Sequence, residues 1–217
     1  MCKLEKMSDF FALRVEEYDE HMLTEVEGCA EGYEKMATLV PENTKHLLDL
    51  GCGTGLELDF IFPRLPSLSV TAVDLTQVML NKLKEKHPDK KLKLICDDYF
   101  TVDFGKERFD CAVSFQTMHH FAHEKKIGLY KKIYTALRNS GEYIECDYMV
   151  ETQKEEDHWF RENDRIRKEQ GIPEGEFYHY DTPCTIENQI KMLEKAGFSD
   201  VSMVQRIENT TILVARK

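Results

Sequence analysis

The residue types that can do chemistry in this chain fall into four short stretches. The first is Asp49-Leu50-Gly51-Cys52-Gly53-Thr54-Gly55-Leu56. Alternating glycines let a backbone turn sharply and approach a ligand closely. The spacing then separates ligand classes. A dinucleotide fingerprint requires a small residue where Leu56 stands, and a phosphate-binding P-loop ends in Gly-Lys-Ser/Thr, whereas no Lys occurs between 46 and 81. Asp49 would repel a pyrophosphate and attract a cation. The second stretch ends in Asp74, a carboxylate placed either to accept a pair of sugar hydroxyls or to cap a helix starting at Thr76-Gln77. The third, Cys96-Asp97-Asp98-Tyr99-Phe100, offers two acids in turn-forming chemistry. The fourth contains His119-His120, either a proton-transfer group near neutral pH or a helix start packed on a sheet. A catalytic metal needs about three protein ligands, and no HxxxH, HxH or Cys-rich companion stands near this pair. No metal is expected.

These stretches must be held by elements legible from apolar patterning. Residues 45–50, 69–74, 92–96, 109–115 and 142–148 are short β-branched or aromatic runs that predict strands. Helical patterns lie between most of them: LELDFIF before Pro63, TQVMLNKLKEKH before Pro88, and EKKIGLYKKIYTALRN before Gly141. In the last, Ile127, Tyr130, Ile133, Tyr134 and Leu137 share a face. Such alternation predicts a parallel sheet covered on both sides. A helix over about 185–196 stops at Gly197. The runs VSMVQRI and TILVAR are then separated only by Glu208, Asn209 and Thr210, too short for a crossover, and predict an antiparallel hairpin. Residues 1–40 read as one or two amphipathic helices.

With these strand-end motifs in place, the sequence resembles the class I S-adenosylmethionine-dependent methyltransferases, whose first motif reads acidic-x-Gly-x-Gly-x-Gly. Asp49, Gly51, Gly53 and Gly55 match it position by position. The resemblance implies an α/β, three-layer Rossmann-like methyltransferase fold: a seven-stranded, mostly parallel sheet with a C-terminal antiparallel hairpin. It implies S-adenosylmethionine as cofactor and S-adenosylhomocysteine as product. It assigns Asp49, Gly51, Cys52, Gly53 and Gly55 to the cofactor loop, Asp74 and Leu75 to the ribose, Asp97 to the adenine amino group, and the Asp98 backbone N–H to the ring. Cys96 and Asp98 depart from the family's usual Gly-Asp-Ala. Ser114, Phe115 and Gln116 would flank the methionine half, and His119 or His120 would face the reactive methyl. Phe10-Phe11-x-x-Arg14-Val15-x-x-Tyr18-Asp19 resembles the N-terminal helix that small-molecule methyltransferases close over the cofactor. There Tyr18 would cover the methionine tail and Arg14 pair with its carboxylate; otherwise they are a packed Tyr and a surface Arg sharing a helix face.

The expected organisation is a single domain over 1–217: a helical lid (1–40), a cofactor-binding core (41–150), a lid or substrate insertion (151–180), and a helix with hairpin (181–217). The insertion brings aromatic residues, Trp159 and Tyr178 among them, into a charged segment. It reads either as a water-excluding lid or as an ordinary surface helix. Tyr148, Trp159, Tyr178 and His179 are the substrate candidates.

The 217 residues carry 29 Lys and Arg against 40 Asp and Glu, a formal charge of -11 that disfavours a polyphosphate partner. No run approaches the length of a membrane span, so neither nucleic acid nor membrane is an expected partner. Seven dispersed cysteines without a CxxC pair fit free thiols in a reducing cytoplasm. The favoured activity is methyl transfer to a small-molecule acceptor by in-line displacement. The alternatives are a cofactor-binding sensor or scaffold, and another transferase using the same pocket.

Overall fold

The computed structural model describes residues 3–217; Cys2 lies outside them. Three short helices, α1 (Met7–Leu13), α2 (Tyr18–Thr24) and α3 (Cys29–Leu39), come first. The alternating part follows as β1 (His46–Leu50), α4 (Leu56–Arg64), β2 (Ser69–Asp74), α5 (Gln77–Lys86), β3 (Lys91–Cys96), β4 (Phe109–Phe115), α6 (His123–Ala136) and β5 (Leu137–Val150). After α7 (Gln153–Glu169) come β6 (Cys184–Thr185), α8 (Ile186–Ala196), β7 (Asp200–Ile207) and β8 (Thr210–Arg216).

The sheet order is β3-β2-β1-β4-β5-β8-β7. β8 runs antiparallel to both β5 and β7, and the remaining pairings along this path are parallel. Alternate residues of the central strands enter opposite cores, because side chains along a strand point to opposite faces. Leu47 of β1 with Cys111, Val113 and Phe115 of β4 packs toward α3, α4 and α5. Leu48 and Leu50 with Ala112 pack toward α6 and α8.

Four details differ from the sequence reading. β6 is an eighth strand paired with the end of β5; two residues are too few to show an alternating pattern. α4 continues through Pro63 to Arg64, because a proline in the last turn removes only one of the helix's amide donors. α6 ends at Ala136, and Leu137 begins β5 instead of lying on the helix face. The N–H groups of Glu107 and Arg108 bind the Thr135 and Ala136 carbonyls at 3.0 and 2.7 Å and take the end of the helix into the sheet. Finally, α1 ends before Arg14, and residues 14–17 form turns before α2 begins at Tyr18. Arg14 and Tyr18 therefore do not share a helix face.

Candidate functional site

The strand ends converge because neighbouring strands stop in register. Leu50 lies opposite Val73 on one side and Ser114 on the other. The N–H groups of Gly51 and Cys52 then both donate to the Val73 carbonyl, at 2.8 and 3.2 Å, pulling the glycine loop across the top of β2. Two glycines are required by this path. Gly51 and Gly55 have φ of +65° and +71°, and an added Cβ would lie 2.4 Å from Thr117 Oγ1 and 2.1 Å from Leu83 Cδ1 respectively. Gly53 also has positive φ, but the nearest atom to its would-be Cβ is Tyr18 Cε1 at 3.6 Å. Its open side faces the covering tyrosine. The Cys52 side chain is buried in the core, which leaves only its backbone for a ligand.

Asp74 anchors the glycine loop and the turn into α5. Its Oδ2 accepts the Gly53 N–H at 3.0 Å and its Oδ1 the Thr76 N–H at 2.7 Å. Each oxygen keeps a lone pair. Asp49 is fully buried, and neither carboxylate oxygen has a hydrogen-bond partner among the described residues. Burial, and then the nearby Glu57 carboxylate, push its pKa well above the usual range. Glu57 itself is pushed up to about 7, chiefly by burial.

The third strand end is mostly turn chemistry. Asp97 is exposed, and its Oδ1 accepts the Asp98 N–H at 2.7 Å; Asp98 Oδ1 accepts the Phe100 N–H at 2.8 Å. The Asp98 amide expected to face an adenine ring is thus already donated to Asp97. Leu75 packs against the α6-side core.

At the end of β4, the Ser114 hydroxyl is buried 2.7 Å from the Tyr143 hydroxyl, and Phe115 stacks on Tyr33 with centroids 3.6 Å apart. Gln116 adopts φ +48°. Its amide donates to the Thr210 hydroxyl at 3.2 Å, which ties the β4 loop to the hairpin.

The amino-terminal helices lie over the glycine loop, with the Tyr18 ring beside Gly53. Asp19 is hydrogen-bonded by the Thr54 hydroxyl and paired with Lys86 at 2.8 Å, and Glu16 pairs with Lys82 at 2.8 Å. Arg14 is instead turned outward. It lies 3.7 Å from the Phe10 ring centroid and pairs with Glu5 at 3.1 Å, although it still borders the cleft beneath.

That cleft has a volume of about 1030 Å³, and Tyr18, Gln116, His119, His120, His179 and Asp181 are among the residues lining it. His119 and His120 occupy a 3-10 turn, Met118–His120. His119 Nδ1 lies 2.5 Å from Asp147 Oδ1, and its Nε2 lies 3.4 Å from Asp181 Oδ1. His120 Nδ1 is also 3.4 Å from that oxygen. Burial alone would lower the His119 pKa, but the two carboxylates outweigh it and push it up to about 10. His120 is lowered by burial and by the neighbouring His119 charge. Burial and then the charge on His120 bring His179 down to about 4. His119 thus lies between the Asp147 and Asp181 carboxylates, beside two imidazoles whose pKa values burial lowers.

Sequence reasoning found no third group for the histidine pair because Asp181 lies far along the chain. The Thr182 N–H and hydroxyl, bonded to the His119 carbonyl at 2.7 and 2.9 Å, bring it in. His119, His120 and Asp181 are close enough to share a metal ion, as are His123, Glu156 and Cys184 behind them. Asp147 was legible as the residue before Tyr148 at a strand end; for Asp181 only its place beside His179 gave a signal. Lys126, buried with its Nζ 3.0 Å from Cys184 Sγ and 3.1 Å from Gln189 Oε1, gave none.

Of the substrate candidates, Tyr148 and His179 border both this cleft and a second cavity of about 500 Å³, and Trp159 borders the second alone. Tyr178 borders neither. Its backbone forms a bridge to Lys6, so it ties residues 151–180 to the N-terminal segment. Six cysteines are free, and all but Cys96 are buried. No helix among the described residues is long and apolar enough to cross a membrane.

Comparison with known proteins agrees with this geometry. The methyltransferase-domain family model matches residues 47–141, from β1 to the start of β5. Carboxy-S-adenosyl-L-methionine synthase of Nautilia profundicola is 25% identical over 181 residues, covering 79% of this chain and 76% of that protein. Among solved structures, an O-methyltransferase-like protein from Nostoc punctiforme superposes with a TM-score of 0.72 at 20% identity, over 98% of this chain and 62% of that one. Human N-acetylserotonin methyltransferase, solved with S-adenosylmethionine, gives 0.68 at 15%, over 97% and 56%. The chain thus spans less than two thirds of either solved structure. Residues 47–141, which hold the glycine loop and the first strand ends, thus match the methyltransferase-domain family, and the chain shares the fold of these solved methyltransferase structures.

Proposed function

We propose that the chain transfers the methyl group of S-adenosylmethionine to a small acceptor bound in the 1030 Å³ cleft. The observation that carries this reading is the Asp147–His119–Asp181–His120 cluster on the wall of that cleft, beside the end of β4. Transfer from a sulfonium is an in-line displacement, so the protein's main work is to align nucleophile, methyl carbon and sulfur at about 3–3.5 Å. The acceptor atom forms its bond to carbon as the carbon–sulfur bond breaks, and the electron pair neutralises the sulfonium. An acceptor hydroxyl or thiol also sheds a proton, which the His120 ring, its pKa lowered by burial, is placed to take up. Phe10, Phe11 and Tyr18 cover the cleft, and His179 stacks on Phe10 with centroids 3.5 Å apart. In this reading residues 1–40 and 151–180 form two lids joined through the Met7–Phe177 and His179–Glu5 backbone bonds. The same reading assigns Asp74 to the ribose and Tyr18 to the methionine tail.

Release of S-adenosylhomocysteine, measured with and without small phenols, thiols and amines, tests the proposal. Acceptor-dependent release supports it. Tight cofactor binding with no turnover under any acceptor would favour the sensor reading.

A second reading comes from the Nautilia relative, named for synthesis of carboxy-S-adenosyl-L-methionine. Such a reaction would place a carboxylate near the methyl position. There Asp147 and Asp181 already outnumber the His119 cation, which favours a neutral acceptor. Mass analysis of the cofactor-derived product separates the two reactions.

A further inference from the structure

We propose that His119 Nε2, His120 Nδ1 and Asp181 Oδ1 form a site for one zinc-like divalent cation whose open position faces the acceptor cleft. The inference rests on the methyl-transfer reading and deepens it by naming the acceptor class.

The three ligand atoms all lie within 4.8 Å of one another. Asp181 Oδ1 lies 3.4 Å from His119 Nε2 and 3.4 Å from His120 Nδ1. Zinc bonds of about 2.0–2.1 Å in a tetrahedron separate their ligand atoms by about 3.3–3.4 Å. Asp181 Oδ1 is buried, yet no donor satisfies it with hydrogen-bond geometry among the described residues. The atom is therefore aimed at the two rings without being bonded to either. The nearest competing partner of His120 Nδ1 is the Tyr180 carbonyl, at 3.3 Å.

The surroundings supply what a metal-bound imidazole needs. His119 turns its other nitrogen to Asp147 Oδ1 at 2.5 Å, the carboxylate–histidine–metal relay that fixes tautomer and ring orientation. Asp147 is itself buried and accepts the Tyr148 N–H at 2.9 Å. Two imidazoles and a carboxylate are among the donor sets of catalytic zinc, and three protein ligands leave a fourth position for substrate. All three side chains border the cleft. An ion there would take the place of the proton on His119 Nε2, keeping positive charge between Asp147 and Asp181.

The chemical consequence is a restriction on the acceptor. A bound ion lowers the pKa of a ligated hydroxyl or thiol, so the acceptor atom is an oxygen or sulfur able to occupy the fourth position. Its proton passes to water, its bond to the methyl carbon forms, and the carbon–sulfur bond of the cofactor breaks. No oxidant or reductant is involved.

The test uses the full chain after chelator treatment, titrated with zinc alone by calorimetry and with cobalt(II) by visible absorption. The expected result is one equivalent bound, with tetrahedral cobalt bands and no thiolate charge-transfer band. His119→Ala and Asp181→Asn should each weaken binding at least about 100-fold, and Asp147→Asn about 10-fold to 100-fold. His123→Ala, in the neighbouring cluster, should leave it unchanged. Circular dichroism and S-adenosylmethionine affinity report the integrity of each variant. Absence of stoichiometric binding, or binding that survives His119→Ala and Asp181→Asn in folded protein, overturns the site. Methyl transfer that persists in chelator without zinc binding would sink this inference and leave the function standing. Zinc binding at these residues without methyl transfer to any acceptor would do the reverse.

Discussion

Replacing Asp74 by Ala separates two duties of one carboxylate. In the free protein its two oxygens hold the Gly53 and Thr76 amides at 3.0 and 2.7 Å. Hydrogen bonds to a charged acceptor contribute about 1.5–3 kcal/mol each, and part of that is recovered when water reaches a half-buried site. A net loss of about 3 kcal/mol is expected. For a chain of this size each 1 kcal/mol lowers Tm by about 2–4 °C, so the free variant should melt about 6–12 °C below the native protein. The second duty is the ribose. Losing acceptors for two neutral hydroxyls costs about 1 kcal/mol each, and disorder of the Gly53 turn adds to it. S-adenosylmethionine should therefore bind about 30-fold to 100-fold more weakly or worse. Thermal melts and calorimetric titration measure the two effects separately. Asp74→Asn, which keeps one acceptor oxygen, should fall between. A lowered Tm with unchanged cofactor affinity would refute the ribose assignment and leave Asp74 as a turn anchor alone.

Glu57, pushed up to about 7 mainly by burial, ionises at higher pH in the folded than in the unfolded chain. Below the unfolded value of about 4.5 it imposes no penalty, and stability falls as pH rises through about 7, by at most about 3 kcal/mol; Glu57→Gln should flatten that decline in Tm, and an unchanged profile would contradict it. Gly55→Val forces a β-branched residue to φ +71° with its Cβ 2.1 Å from Leu83 Cδ1, so a loss of several kcal/mol and poor soluble yield are expected; a native melting curve would show that the loop yields. His120→Ala should keep cofactor affinity within about threefold while lowering turnover at least about 10-fold, the magnitude expected for a group that assists proton loss. Loss of cofactor binding in folded His120→Ala would instead place this ring in the cofactor pocket.

Much of the architecture was legible because the signals are local. β1 and β4 are short, largely apolar runs, so their strand assignment follows from sequence alone. Boundaries set by tertiary bonds were not legible. The end of α6 is decided by Glu107 and Arg108, and the break between α1 and α2 by turns docked through Asp19 onto Thr54. The same division holds at the site. Asp49, Asp74 and the glycines announce themselves by spacing next to a strand end. Asp181 acquires meaning only when Thr182 brings a distant segment onto the His119 carbonyl. Tyr178 shows the converse: an aromatic residue in the right segment whose contribution is a backbone bridge to Lys6.

The central claim is methyl transfer to a small molecule in the histidine-lined cleft. Its most direct test supplies S-adenosylmethionine carrying an isotopic label in the methyl group to the purified protein with a whole-cell extract, followed by separation of low-mass compounds from protein and nucleic acid. The account predicts label in a low-mass methylated oxygen or sulfur compound, with an equal amount of unlabelled S-adenosylhomocysteine formed and the yield of both products reduced at least about 10-fold in His120→Ala. Label found only in macromolecules, or recovered in a carboxylated cofactor without S-adenosylhomocysteine, would contradict it.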